Sequence, residues 1–257
     1  MLPILLSTYL LDGRHSLICF LVQSRRQSCH DILERIADRH LPTVDAPLLR
    51  LQLFQILMDS GFGPRMPELL SIQTASARRI QINGRAVLTA IHKLPVSGAV
   101  QALPLGLMGD EQADFSVHGG LAKAVYAYPS EHYPFWQAQR SAAGLTGIDD
   151  ALPFGSVGEN LSLQGVLETD VWVGDVLRFP NCVLRLTQPR EPCYKFNAAM
   201  GFGGAVKAMA QHTCCGFYLA VDEPGPLRAG ESFELVPGPR RLSIVESFKA
   251  KMFKHMR

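Results

Sequence analysis

The sequence predicts a mainly β fold with flanking helices, and three observations support this class. Short strand candidates separated by glycine and proline recur from Ile72 onward. One of them, 182–187, alternates polar and apolar side chains, as half-buried antiparallel strands do. Two segments, 174–179 and 230–235, each place a glycine and an acidic residue before a strand-like run, and this repeat favours a barrel.

The predicted elements follow one another along the second part of the chain. Ser130 stands where a helix N-cap is expected, and lysines lie in the last turns of the final helical segment, where the helix dipole favours them. We predict strands at 86–92, 124–128, 171–173, 176–179, 182–187, 216–221 and 232–236, and helices at 130–140, 204–212 and 243–255.

Residues 1–65 differ from the rest of the chain in composition and in the periodicity of their apolar residues. They contain seven arginines, no lysine and three glycines, and two stretches, 31–40 and 46–58, have helical periodicity. We therefore expect an N-terminal extension at 1–65, helical or poorly ordered, followed by a domain at 66–240 and a C-terminal helix at 241–257. Met66 is a candidate functional start, which would make the extension either a mis-assigned start or a loosely attached appendage.

The charge and hydropathy of the chain argue against several classes of function. The chain has 257 residues, 25 Lys plus Arg against 23 Asp plus Glu, and a formal charge of +2, so no basic surplus indicates nucleic acid or an anionic membrane. No apolar run has the roughly 18 residues of a membrane span. The N-terminus lacks the features of a secretory signal, and the expected compartment is the cytoplasm. Six scattered cysteines are expected to be free thiols.

The densest chemistry lies in 188–197, which follows directly on a predicted strand. Pro189 and Pro192 remove backbone donors, so we interpret the segment as a stiff loop at a strand end. Its cysteine, Cys193, is flanked by Arg190 and Lys195, and nearby cations favour the thiolate, which is both a nucleophile and a metal ligand. The alternative is a buried cysteine that packs as a small hydrophobe.

Two glycine-containing stretches are further candidates. In the first, Gly119 and Gly120 would let backbone amides approach an anion, with His118 and Lys123 as charge-assisted donors; the alternative is an ordinary turn. The second, Gly158-Glu159-Asn160, precedes an apolar strand, and its alternative is a hairpin turn tied by the asparagine side chain.

Taken in order, these stretches resemble the MOSC family (molybdenum cofactor sulfurase C-terminal domain), specifically its YiiM-like branch. The resemblance covers roughly residues 68–237, and the final helix resembles a shortened form of that family's helical tail. It is carried by Val117-His118-Gly119-Gly120 with Lys123-Ala124-Val125, Tyr128-Pro129 with Glu131-His132-Tyr133, Gly158-Glu159-Asn160-Leu161, Val173-Gly174-Asp175, and Gln188-Pro189-Arg190 with Pro192-Cys193 and Lys195.

The resemblance implies a MOSC-type β-barrel-like domain with a short C-terminal helical tail, and a bound molybdenum cofactor, a pyranopterin. It implies that Cys193 is the catalytic residue and the protein ligand to molybdenum, since a soft thiolate suits a metal already held by sulfur. It also implies an association with pyridoxal phosphate binding. The implied cofactor-binding residues are His118, Gly119, Gly120, Lys123, Gly158, Glu159, Asn160, Arg190 and Lys195.

Relatives of this branch are associated with resistance to N-hydroxylated bases such as 6-hydroxylaminopurine, and the similar mitochondrial amidoxime-reducing component reduces N-hydroxylated compounds. The resemblance therefore implies a molybdenum-dependent oxidoreductase with a small N-hydroxylated substrate. No flavin or nicotinamide fingerprint is present, so an external electron-donor reductase, a flavin or iron–sulfur protein, is expected. The alternatives are a sulfur transferase that uses a Cys193 persulfide and a non-catalytic cofactor carrier. The sequence leaves a homodimer open.

Overall fold

The computed structural model of the chain describes residues 66–113, 119–145 and 151–255, together with four residues near the N-terminus. The chain divides into two compact units, Met1–Arg65 and Met66–Arg257. In the first unit, Leu10–Leu11 (β1) pairs antiparallel with His15–Ser16 (β2). The helices predicted at 31–40 and 46–58 lie outside the described residues. None of the described helices combines the length and the apolar character that crossing a bilayer requires.

The second unit is mainly β, as predicted, with four α-helices at its periphery. Its strands are Glu68–Thr74 (β3), Arg78–Ile82 (β4), Arg85–Thr89 (β5), Leu94–Pro95 (β6), Ala99–Leu103 (β7), Gly106–Leu107 (β8), Val125–Pro129 (β9), Leu161–Gln164 (β10), Val176–Arg178 (β11), Val183–Pro189 (β12), Phe217–Glu223 (β13), Gly225–Arg228 (β14) and Glu234–Val236 (β15). The α-helices are Tyr133–Ala142 (α1), Tyr194–Met200 (α2), Ala205–His212 (α3) and Ile244–His255 (α4), and Leu121–Lys123 and Ser130–His132 are short 3-10 helices.

Eight strands form the main sheet in the order β15-β11-β12-β13-β9-β10-β3-β6. Every neighbouring pair is antiparallel except β9 and β10, which are parallel. The sheet curls until Glu68, at the start of β3, forms a bridge with Ser232, just before β15. Leu69 N donates to Glu231 O over 3.0 Å beside this bridge. The sheet is therefore barrel-like, with its two sides brought together by a short bridge.

Some of the predicted strands and loops are confirmed, and others are wrong or shorter than predicted. The alternating segment 182–187 forms β12, which is antiparallel to both of its neighbours, as expected. The strand predicted at 171–173 is wrong, because only Trp172 makes an isolated bridge, to Ser243. The strand predicted at 86–92 ends at Thr89, whose hydroxyl accepts a hydrogen bond from Ile91 N as the chain turns away. The loop predicted at 188–197 is shorter, because β12 runs to Pro189 and α2 begins at Tyr194.

Aromatic side chains fix the first two helices to the sheet. Trp136 of α1 is fully buried, and its indole N–H donates to the Tyr128 hydroxyl over 2.6 Å. The same indole packs edge-on against Phe196 of α2, with ring centroids 5.3 Å apart. Burial of rings of this size contributes on the order of 3 kcal/mol each, and edge-to-face packing adds to it. This cluster holds α2, and with it the chain segment just before the helix, against β9.

Candidate functional site

An open cavity lies among several strand ends and the loops that follow them. Its walls come from the end of β5 and the residues after it, from 110–113, from the start of β9, from the turn before β10 and from the segment that joins β12 to α2. It brings together six of the predicted site residues, although they are far apart in the sequence: Lys123, Gly158, Asn160, Arg190, Cys193 and Lys195.

Cys193 occupies the N-cap position of α2, with extended backbone (φ −121°, ψ 173°). Its carbonyl accepts a hydrogen bond of 2.8 Å from Phe196 N, so the first turn of the helix fixes the residue. The thiol is free and half-buried, and it lines the cavity. A reactive group is thus placed on a short connection whose two ends are held by β12 and by the buried ring of Phe196.

Arg190 is the most deeply buried cation on the cavity wall, with 6% of its surface exposed. Its guanidinium carbon lies 4.6 Å from the ring centroid of Phe196 and 5.0 Å from that of Tyr126, which are cation–π distances. Nη1 is buried and has no hydrogen-bond partner among the described residues. A buried, unpartnered guanidinium N–H is costly without a ligand, and carboxylates and phosphates are the anions whose geometry matches the arginine fork.

Two lysines extend the positive wall around Arg190. The Lys123 ammonium lies 5.7 Å from the ring centroid of Tyr218. Burial and repulsion by Lys251 lower the pKa of Lys123, against the opposing effect of Glu191. Lys195 Nζ donates to Leu88 O over 3.0 Å, which joins α2 to β5. The cavity therefore presents positive charge from three separate elements to whatever enters it.

A buried polar cluster forms another wall. Lys93 Nζ forms an ion pair with Asp110, and both side chains are almost completely buried. Burial lowers the pKa of Lys93, although Asp110 opposes that effect. Asn160 Nδ2 donates to Asp110 Oδ2 over 2.9 Å, and Asn160 Oδ1 accepts from Tyr126 N over 3.1 Å. The asparagine therefore ties β9 to Asp110 as well as lining the cavity.

Glu159 does not line the cavity. Its carboxylate accepts hydrogen bonds from Gly155 N (2.7 Å), Val157 N (3.2 Å), Ser162 Oγ (2.9 Å) and the Tyr133 hydroxyl. Burial raises the pKa of Glu159, against the opposing effect of these hydrogen bonds. The structure thus places this predicted cofactor-binding residue behind the wall, where it organises the turn.

The glycines of the predicted stretches have different surroundings. Gly158 has a positive φ of 85°, and a Cβ there would lie 2.8 Å from Ile91 Cγ1, so the close approach requires glycine. Gly120 caps the 3-10 helix that ends at Lys123, and its N–H donates to Gln112 Oε1 over 3.2 Å. Gly119 and Gly120 are next to the cavity-lining segment but are not among its lining residues. His118 lies outside the described residues.

Sequence reasoning missed several wall residues: Lys93, Asp110, Gln112, Tyr126 and Tyr218. The two tyrosines are directly opposite each other in the register of β9 and β13, and their ring centroids are 5.4 Å apart. Burial raises the pKa of both phenols, against the opposing charge of Arg190. Alternation along the predicted strand 216–221 could have assigned Tyr218 to one face of the sheet. Only the pairing of β13 with β9 shows that this face lies under Arg190.

The residues on this cavity fit a molybdenum cofactor. A single half-buried thiol suits a metal that arrives already coordinated by other sulfur ligands. The unpartnered Nη1 of Arg190, with Lys123 and Lys195, suits the phosphate of a pterin. Together these groups form a cationic cavity with one soft donor, which can bind an anion and a soft metal side by side.

Comparisons with known proteins agree with this geometry. The MOSC domain family model matches residues 114–234. The chain is 35% identical to YflK of Bacillus subtilis (strain 168) over 177 residues, which is 68% of this chain and 76% of YflK. It is 34% identical to Protein YiiM of Escherichia coli (strain K12) over 159 residues, which is 62% of this chain and 69% of YiiM.

One relative carries the name Reductase. This protein of Gibberella moniliformis is 28% identical over 183 residues, which is 71% of this chain but only 31% of the longer fungal protein. The crystal structure of YiiM from Geobacillus stearothermophilus superposes with a TM-score of 0.58 at 28% identity, covering 74% of this chain and 86% of that one. From the family model, the relatives and the shared fold, the chain belongs to the MOSC domain family, in the branch that contains YiiM.

Proposed function

We propose that the chain is a molybdenum-cofactor-dependent oxidoreductase that reduces N-hydroxylated compounds of the hydroxylaminopurine type. The observation that carries the proposal is that Cys193 and Arg190 line one open cavity, with Arg190 Nη1 lacking a hydrogen-bond partner among the described residues. Support also comes from the MOSC family and from relatives that include YiiM and a protein named Reductase.

Four wall residues have roles in holding the cofactor, and a fifth shapes the wall. Cys193 Sγ would be the protein ligand to molybdenum, and Arg190 would bind the pterin phosphate through Nη1, which has no hydrogen-bond partner among the described residues. Lys123 and Lys195 add positive charge on either side. Asn160 holds Asp110 in place, so its role is to shape the wall. When bound, the cofactor supplies the two-electron redox couple of the reaction.

The reaction breaks the N–O bond of the substrate. Two electrons and two protons convert the N-hydroxyl compound into the amine and water, and the electrons come from an external donor protein. Lys93 is a cavity-lining residue, and burial lowers its pKa, which makes the ammonium a better acid than an exposed lysine. Lys93 therefore supplies a proton to the departing oxygen, while Asp110 orients it.

The first test is elemental and pterin analysis of protein made in a host that synthesises the cofactor. Wild type is expected to retain molybdenum and pterin in equal amounts. Cys193→Ala is expected to lose the metal, and Arg190→Ala is expected to lose the pterin with it. Cys182→Ala is the matched control, since Cys182 is a buried thiol that does not line the cavity.

The second test is reduction of 6-hydroxylaminopurine with a chemically reduced dye as electron source. Wild type is expected to release the amine, and Cys193→Ala is expected to be inactive. Metal-free protein that carries cyanolysable sulfur on Cys193 would support sulfur transfer instead. Protein that holds pterin but reduces no hydroxylamine would support a carrier. The same preparations are assayed for pyridoxal phosphate, whose presence in place of pterin would contradict the proposal.

A further inference from the structure

Strands β4 and β5 form a hairpin that stands apart from the main sheet. The two strands pair only with each other, around an Asn83-Gly84 turn in which both residues have positive φ. The register places Arg79 opposite Leu88, and both side chains are exposed. We call residues 78–89 the arginine hairpin, because three of its exposed side chains are Arg78, Arg79 and Arg85.

The charge of this segment is unbalanced. From residue 69 to residue 109 the sequence contains four Lys or Arg side chains and no Asp or Glu. None of the three hairpin arginines forms an ion pair with a carboxylate in the part of the chain that the structure describes. The formal charge of the whole chain is only +2, so the hairpin concentrates positive charge locally. At its base the Glu111 carboxylate accepts a hydrogen bond of 2.6 Å from Ala77 N, one residue before β4.

The arginine hairpin lies at the rim of the cavity. Thr89, the last residue of β5, is a cavity-lining residue, as are Ala90 and Ile91 after it. On the other side, Lys195 Nζ donates to Leu88 O over 3.0 Å, which joins the hairpin to the helix that follows Cys193. Leu88 and Tyr194 are apolar groups with 42% and 56% of their surfaces exposed. Exposed apolar groups beside unpaired charges are typical of transient protein interfaces.

We propose that the arginine hairpin is the docking surface for an acidic electron-donor protein, a flavin or iron–sulfur carrier. The inference rests on the proposed function, in which each N–O bond broken requires two electrons and two protons and yields one amine and one water. The carrier is oxidised as it supplies those electrons, a flavin protein by giving two and an iron–sulfur protein by giving one in each of two successive encounters. Docking here brings it to the same rim that bears Cys193, and complementary charge speeds its association.

A protein partner fits this surface better than a nucleic acid does. The positive patch is small, and the exposed Leu88 lies directly across the hairpin from Arg79. A nucleic-acid surface would extend further in positive charge, to follow a phosphate backbone. The partner of this surface is therefore a protein with an acidic face around its redox group.

The test measures binding of the full-length chain to three probes, a flavodoxin, a plant-type ferredoxin and a single-stranded oligonucleotide, at low and high ionic strength. The hairpin variant is Arg79→Glu with Arg85→Glu. The matched control, Arg178→Glu with Arg228→Glu, makes the same charge change at exposed positions on β11 and β14 that do not line the cavity. Wild type is expected to bind at least one carrier, more weakly at high salt. The hairpin variant is expected to lose about tenfold or more in affinity and the control less than about threefold.

Three outcomes overturn the docking proposal: neither carrier binds wild type, both double variants lose affinity equally, or the hairpin variant loses affinity only for a single-stranded oligonucleotide. Arg79→Lys with Arg85→Lys is expected to restore binding, because it restores the charge. A separate assay, reduction of the substrate with a reduced dye, tests the proposed function independently of the docking surface. If a reduced dye supports no N–O reduction in wild type, the proposed function fails, whereas the binding measurements still decide the docking surface.

Discussion

The side-chain amide of Asn160 donates a 2.9 Å hydrogen bond to Asp110, across 50 residues of sequence. This contact holds the carboxylate that pairs with Lys93, while the other side of the asparagine accepts from Tyr126 N. One buried amide thus connects the central strand β9 to the polar wall of the cavity. The arrangement of that wall depends on a residue whose own donors and acceptor are all used inside the protein.

Asn160→Ala is expected to lower the free energy of unfolding by about 2 kcal/mol, because it leaves buried partners without a hydrogen bond. Urea unfolding followed by circular dichroism measures the change. Gln164→Ala is the control, since Gln164 is exposed at the end of β10, the strand that follows Asn160, and an effect within about 0.5 kcal/mol is expected there. Equal losses in the two variants would contradict the role assigned to Asn160.

The described cysteines should differ sharply in reactivity. Burial raises the pKa of Cys182 and of Cys214 to about 12, and raises that of Cys215 well above its usual range. These three are therefore thiols at neutral pH, and the thiol is the unreactive form. Iodoacetamide treatment of the folded protein, followed by peptide mass spectrometry, is expected to label Cys193 before any of them. Early labelling of Cys214 or Cys215 would show that this region is not packed as described.

Gly216 is expected to tolerate no side chain. It has φ +63°, and a Cβ would lie 2.5 Å from Ala127 O, against the backbone of β9. Backbone strain and overpacking together predict a loss of about 3 kcal/mol for Gly216→Ala. Gly203→Ala is the matched control, because nothing lies within 4 Å of a Cβ there. Thermal unfolding compares the two, and similar melting temperatures would contradict the prediction.

Glu159 gives a prediction about pH. A carboxyl whose pKa is raised by burial binds its proton more tightly in the folded than in the unfolded chain. The free energy of unfolding therefore falls as the pH rises from the ordinary value of 4.5 through the raised value in the folded state. Glu159→Gln removes this titration, so its stability relative to wild type is expected to improve with rising pH. Urea unfolding between about pH 4 and pH 8 tests this, and a constant difference would contradict it.

Local patterns predicted much of this fold, and long-range contacts account for what they missed. The alternation in 182–187 predicted β12, because one face of that strand is buried. The Asn83-Gly84 dipeptide is a strong hairpin signal, from which β4 and its pairing with β5 could have been predicted. The predicted strand at 171–173 contains an apolar pair around Trp172, but this segment contacts a helix start and does not pair along its length.

The residues of the candidate site also divide into those that sequence motifs predicted and those that only the folded structure shows. Motif spacing led to Cys193 and Arg190, which are close in the sequence and lie on one connection. Lys93 and Asp110 are single charged residues in stretches without a recognisable motif. Their part in the site follows only from the ion pair that they form when both are buried. Glu159 shows the converse, since its place in a motif does not reveal whether the side chain points into the cavity or supports the turn behind it.

The bridge between Glu68 and Ser232 has a consequence for the order in which the chain can fold. Hairpins such as β4–β5 close short loops and can form early, whereas this bridge joins two residues that are far apart in the sequence and belongs to the slow, non-local class of contacts. A nascent chain cannot make it before Ser232 has been synthesised, and Tyr218 joins the cavity only when β13 pairs with β9. Loading of any ligand into the cavity must therefore follow synthesis of nearly the whole unit.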